Sequence, residues 1–223
     1  MSFILNIETA TKNCSVSLSK NGEIIALREK AEEGFSHAEK LHHFINEVCE
    51  ESAISLQDLN AIAVSKGPGS YTGLRIGVSS AKGLAYSLDI PLISIDTLAS
   101  FASKALVDEG LIIPMIDARR MEVYSAVYDK KHKEVRGVEA QILTSDSFQK
   151  YAEPIYFIGD CLEKAKSVLH ATNFIFLDDL VYPSSIEMGI LSHQKFLQND
   201  FEDVAYFEPF YLKDFLMTAK VVL

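Results

Sequence analysis

Three short apolar stretches at the start of the chain, 3–7, 15–19 and 24–28, are separated by polar turns, and the second alternates Ser-Val-Ser-Leu-Ser, the period-2 pattern of a half-buried strand. Lys20-Asn-Gly-Glu23 between the last two carries the Asn-Gly pair favoured in two-residue hairpin turns, so the chain is expected to open with an antiparallel meander. The period then changes. Leu41, Phe44, Ile45, Val48 and Cys49 recur at helical spacing behind the capping box Ser36-His-Ala-Glu39, which predicts a helix ending near Glu51. Ser55-Leu-Gln-Asp58 resembles a second, shorter helix start. A strand at 61–65, a helix from 71 to about 88, a strand at 91–95 and a helix capped by Thr97 and running to about Val107 follow.

The pattern then restarts. Leu111-Ile-Ile-Pro-Met-Ile-Asp117 repeats the character of Phe3-Ile-Leu-Asn-Ile-Glu8, an apolar strand closing on a carboxylate. Strands at 123–127 and 135–143, a short helix at 146–151, a strand at 155–158, a helix at 160–169, a strand at 174–177 and a helix from Ser184 to about Leu197 complete it. A repeated βββαβα unit is the organisation of the actin, Hsp70 and sugar-kinase superfold, an α/β class. The expected halves are 1–108 and a reduced 109–223, with the last helix available to pack back on the first half.

The stretch Lys66-Gly-Pro-Gly-Ser-Tyr-Thr-Gly-Leu-Arg-Ile-Gly-Val-Ser-Ser-Ala-Lys-Gly83 holds five of the 11 glycines. It lies between a predicted strand and helix, where backbone N–H groups and the helix dipole favour an anion. The spacing matches neither a Walker A loop, since Leu74-Arg75 follow Gly73, nor a dinucleotide fingerprint, since Thr72 stands where a third glycine is needed. Beyond the turn, Gly73, Gly77, Ala81 and Ala85 step by four along one helix face, with Leu74 and Val78 beside them. Such a row admits another backbone very closely, and fits either tight internal packing or a docking surface. The second half has no counterpart of this cluster.

Composition narrows the functional classes. A net charge of −10, from 31 acidic and 21 basic residues, argues against nucleic-acid binding by the chain alone. Cys14, Cys49 and Cys161 are odd in number and far apart, which fits a reducing cytoplasm better than a disulfide framework. No run of about 18 uncharged apolar residues offers a membrane span. His37, His42 and His43 fail the i,i+3 or i,i+4 test for a helical metal pair and read as exposed or capping imidazoles. Glu8, Thr9 and Thr11 at the end of the first strand, with Gly67 and Gly69, form a vestigial phosphate-binding set, or plain turn chemistry. Asp117-Ala-Arg-Arg-Met-Glu122 is the equivalent corner of the second half.

Ile4–Leu18, Ser36–Leu41, Lys66–Gly77 and Asp117–Tyr124, together with the ending Tyr211-Leu-Lys-Asp-Phe215, closely resemble the TsaB (YeaZ) family of bacterial tRNA-modification subunits. The first three blocks are shared more loosely with its catalytic paralogue TsaD. The resemblance implies a non-catalytic scaffold with no cofactor or metal of its own. It would pair with a TsaD-type paralogue and a TsaE-type ATPase, form a homodimer when alone, and meet tRNA only through the complex, away from membranes. TsaD transfers a threonylcarbamoyl group to the adenosine beside the anticodon of tRNAs that read codons beginning with A. The paralogue carries a metal on His-x-x-x-His, where this chain has His37 and Leu41, and a Gly-Gly nucleotide motif that is missing here. The implied partner surface is Leu41, Phe44, Ile45 and Val48 on one helix with Gly73, Leu74, Gly77, Val78, Ala81 and Ala85 on the next. An ATP-dependent kinase or ATPase would need a second phosphate loop, and a metalloprotease would need the missing metal pair. Arg120-Met121 departs from the family's usual small residues at that corner.

Overall fold

The structure, a computed structural model, describes residues 1–32 and 37–213. The first half runs β1 (Phe3–Glu8), β2 (Asn13–Lys20), β3 (Glu23–Ala31), α1 (His37–Ser52), a 3-10 turn (Leu56–Asp58), β4 (Ala61–Gly67), α2 (Tyr71–Leu88), β5 (Leu92–Asp96) and α3 (Thr97–Ala102). The second runs β6 (Leu111–Asp117), β7 (Glu122–Asp129), β8 (Glu134–Ile142), β9 (Ile155–Gly159), α4 (Leu162–Lys166), β10 (Phe174–Phe176) and α5 (Met188–Gln198). Their sheets have the same order, β3-β2-β1-β4-β5 and β8-β7-β6-β9-β10. In each, the first three strands pair antiparallel and the others join in parallel. This duplicated order is the actin-like α/β fold expected from the repeat.

Local chemistry explains where elements begin and end. Asn21 and Gly22 take φ 51° and 90°, the left-handed pair that a tight hairpin requires. Ser70 opens α2 by accepting a hydrogen bond from Gly73 N at 3.2 Å, and Asp89 closes it in a left-handed conformation. The helix expected from Thr97 to Val107 is only six residues long. Asp96 caps it by accepting from the N–H groups of Leu98 and Ala99, while Thr97 Oγ1 accepts instead from Gly67 N. The expected helix at 146–151 is a run of turns with Phe148 at φ 65°, and the one at 160–169 shortens to Leu162–Lys166. The final helix starts at Met188, not Ser184. Ser184 and Ser185 give their hydroxyls to Glu29 and Ser15 and leave helix capping aside. The Ser36 capping box lies outside the described residues.

Each sheet is covered on both faces. The first packs Leu5, Ile7, Val16, Ile62 and Val64 beneath α1 and α2, and Ile4, Ala63 and Ile93 beneath α5. The α5 side is partly polar, with Ser192 Oγ donating to Asn6 Oδ1 at 2.7 Å and Ser15 and Ser17 bonded to the 184–185 loop. In the second half, α4 and α3 cover the two sides of β6–β9. No helix is long and apolar enough to cross a membrane among the described residues.

After α5 the chain forms a strap over residues 199–213. Glu202 N bonds Leu92 O on the edge of β5, and Lys82 Nζ holds the carbonyls of Ala205 and Phe207. Phe210 N then reaches Lys66 O at 2.7 Å, Tyr211 stacks obliquely on Tyr71 at 5.0 Å, and Lys213 pairs with Glu122 in the second half.

Candidate functional site

The glycine-rich turn, the end of β1 and the first turns of α2 meet at one point. A Cβ on Gly73 would stand 2.1 Å from Thr9 O, one on Gly77 2.2 Å from Thr9 Oγ1, and one on Gly69 2.4 Å from Ala10 O. All three separations are impossible for a real side chain, so these glycines exist to let α2 close on the chain's own β1–β2 turn. Gly67, at φ +112°, faces Phe210 O of the strap in the same way. Ser70 N donates to Ala10 O at 2.7 Å, and Thr9 Oγ1 donates to Gly73 O at 2.8 Å.

This contact determines where both sets of candidate residues lie. Leu41, Ile45, Val48, Leu74, Val78, Ala81 and Ala85 are at most 3% exposed, Gly73 and Gly77 are buried, and Phe44 is half-buried against the same core. The small-residue row therefore serves internal packing, the first of its two readings. These side chains are turned inward, onto the chain's own core. The phosphate set is likewise turned on itself, because Glu8, Thr9 and Thr11 are buried and Gly67 and Gly69 are filled by backbone.

Glu8 is the most unusual group at this junction. It is fully buried, and its Oε1 accepts from Ala10 N at 2.6 Å and Ser65 Oγ at 2.9 Å, while Oε2 has no partner. Burial, with the nearby charge of Glu187 adding to it, pushes its carboxyl up to about 7. Glu187 is itself raised by burial and also has an unpartnered Oε2. Ser65 sits inside a predicted strand and Glu187 comes from a distant loop, so no local pattern announced either. His37 is buried, where an exposed or capping imidazole was expected. Its Nε2 bonds Thr11 O at 2.8 Å, and burial lowers its basicity. His42 and His43 are exposed, and among the described residues no three His, Cys, Asp or Glu side chains cluster to hold a metal.

The matching corner of the second half, after β6, is built differently. Arg119 and Arg120 occupy left-handed conformations at φ 70° and 54°, with both side chains exposed. Ala118 N donates to Glu122 O, Glu122 N to Arg119 O, and Arg119 N to Asp117 Oδ1. Lys164 clasps the turn through Asp117 Oδ1 and the carbonyls of Arg120 and Glu122.

Comparison with known proteins agrees with this architecture. A family model described as "TsaD: tRNA N6-adenosine threonylcarbamoyltransferase" matches residues 31–216. The Bacillus subtilis (strain 168) protein named tRNA threonylcarbamoyladenosine biosynthesis protein TsaB is 31% identical over 94% of this chain and 93% of its own length. This chain belongs to the TsaB family. The Escherichia coli (strain K12) TsaB is 29% identical over 95% of this chain and 94% of its own. Among solved structures, YeaZ from Pseudomonas aeruginosa superposes with a TM-score of 0.82 at 24% identity, covering 95% of this chain and all of that one. The ethanolamine utilization protein EutJ from Carboxydothermus hydrogenoformans shares the fold at a TM-score of 0.52 and 10% identity, over 85% of this chain and 90% of that one. TsaB-family membership thus rests on sequence over nearly the whole chain, and the actin-like fold on structure.

Proposed function

We propose that this TsaB-family chain is a non-catalytic scaffold subunit in the biosynthesis of threonylcarbamoyladenosine in tRNAs reading codons that begin with A. The observation that carries the non-catalytic part is the state of α1. At the position where the paralogue's second metal-binding histidine would stand, Leu41 is fully buried in the core, and His37 is turned inward onto Thr11 O. Leucine has no lone pair to offer a metal, and the His37 ring is held inside the fold by its Nε2 bond. The closed contact between the β1–β2 turn and the glycine turn supports the same reading, since it fills with protein the place where an anion would approach α2.

The scaffold acts by pairing with a TsaD-type paralogue, forms a homodimer when alone, and recruits a TsaE-type ATPase to the assembly. Its partner surface is the outward side of α1 and α2. There Ser79 is exposed, Gly83 has open space where a Cβ would sit, and Tyr86 is 82% exposed. Small residues beside a large exposed aromatic suit close helix-on-helix docking around an aromatic anchor.

The test is reconstitution with a TsaD-type partner, a TsaE-type ATPase and tRNA. Ser79→Arg and Gly83→Arg are expected to keep the wild-type melting profile, lose co-elution with the TsaD-type partner, and reduce tRNA modification at least tenfold. Unimpaired modification without this chain would overturn the scaffold role. Intact co-elution of both variants would move the surface elsewhere.

A further inference from the structure

We propose that the Arg119–Arg120 turn is a contact for the phosphate backbone of RNA. Some exposed cations of this acidic chain, Lys12, Lys130, Lys131 and Lys133 among them, form no ion pair among the described residues, while others are neutralised. Arg28 pairs with Glu47 and Glu51, Lys30 and Lys40 with Glu32, Arg136 with Glu139, and Lys166 with Asp178. At the turn itself the nearby carboxylates are spoken for, Asp117 by Lys164 and Glu122 by Lys213. Arg119 and Arg120 are left exposed with no ion pair among the described residues.

Their backbone is also unexpected. Consecutive left-handed residues at a turn tip favour Asn, Asp or Gly, as at Asn21-Gly22, and arginine gains no local hydrogen bond there to offset the strain. Lys164 holds the carbonyls of Arg120 and Glu122 from inside the turn, which fixes the loop and leaves both guanidinium groups facing out. Rigidly presented, uncompensated arginines match the bidentate geometry of phosphate oxygens. The strap links this corner to an aromatic ledge, running from Lys213 on Glu122 to Tyr211 on Tyr71, over whose ring Arg75 lies at 4.5 Å. Cationic side chains interleaved with aromatic faces are the pattern that tracks nucleic-acid backbone and stacks bases.

Two arginines are too few to hold RNA against a net charge of −10, so the contact acts within an assembly whose other members supply most of the affinity. The inference rests on the scaffold reading above, and its test separates the two. An unmodified tRNA transcript is titrated by filter binding against the chain reconstituted with its TsaD-type partner, from about 0.05 to 0.2 M salt. The double variant Arg119→Ala/Arg120→Ala is expected to co-elute with the partner as wild type does, yet to flatten the slope of log Kobs against log salt by about 1.5. Arg119→Gly/Arg120→Gly, which suits the left-handed backbone, should give the same loss. Lys131→Ala/Lys133→Ala, at the opposite end of the same sheet, should leave the slope unchanged. An unchanged slope in both arginine variants overturns the proposal while the scaffold reading stands. Absence of tRNA binding by the wild-type assembly removes both.

Discussion

The turn after β1 and the turn after β6 occupy equivalent places in two sheets of identical strand order, and they have opposite fates. The first is swallowed. Its Thr9 is pressed against Gly73 and Gly77 of α2 and its Ala10 against Gly69 of the preceding turn, and the carboxyl of Glu8 is sealed in the same junction. The second stands in solvent, clasped from below by Lys164, and presents two arginines. The difference follows from what comes after β4 and β9. An 18-residue helix with a small-residue side lies against the first turn, whereas only a five-residue helix follows β9. A duplicated fold does not duplicate its surface chemistry, because the turn's exposure is set by the next helix along.

The largest effect should come from prising α2 off the first turn. Gly73→Leu or Ala81→Arg drives a side chain into filled space or an unpaired charge into the core, and should cost at least about 3–5 kcal/mol. Arg119→Ala at the second turn should stay within about 0.5 kcal/mol of wild type by denaturant titration. Equal losses at the two turns would abolish the contrast.

Next in size is Glu8. In the folded chain its carboxyl stays protonated up to about pH 7, against an ordinary value of 4.5. The folded state therefore binds the extra proton between those values, and stability falls as pH rises through that window, by roughly 3 kcal/mol in all. Glu8→Gln keeps an acceptor for Ala10 N and Ser65 Oγ without the charge. It should match wild type near pH 4.5 and exceed it at pH 8. A wild-type chain no less stable at pH 8 than at pH 5, with Glu8→Gln parallel to it, would show that the seal over the first turn is imaginary. The smallest effect sharpens the other side. Arg120→Gly relieves a left-handed arginine at the cost of a freer unfolded chain, so stability should change by less than about 1 kcal/mol, toward greater stability.

Much of this architecture was legible in the sequence, and the failures share one cause. Asn21-Gly22 and the apolar stripe of α1 were readable because turn chemistry and helical period act within a few residues. The row of Gly73, Gly77, Ala81 and Ala85 correctly announced a close approach, but spacing cannot say what approaches, and the answer, Thr9, lies 64 residues away from Gly73. Ser184 looked like a helix cap until Glu29 and Ser15 claimed the 184–185 hydroxyls from across the molecule. His37 read as an exposed or capping imidazole because only the fold brings Thr11 O to it. Of the second corner's arginines only Arg120 stood out, with Met121, as a departure from the family's small residues, Arg119 being part of the shared block. Their lack of carboxylate partners emerged once Lys164 and Lys213 were placed.

The strap at 199–213 has a mechanical consequence. The chain crosses from the first sheet to the second after α3, returns to place α5 on the first, and crosses again where Lys213 reaches Glu122. With three passages, the last one anchored on β5, α2 and the glycine turn, neither half can melt without stripping the other of its cover. A calorimetric scan should show one endotherm for the whole chain, with a calorimetric enthalpy equal to the van't Hoff value, where two loosely hinged halves would give two.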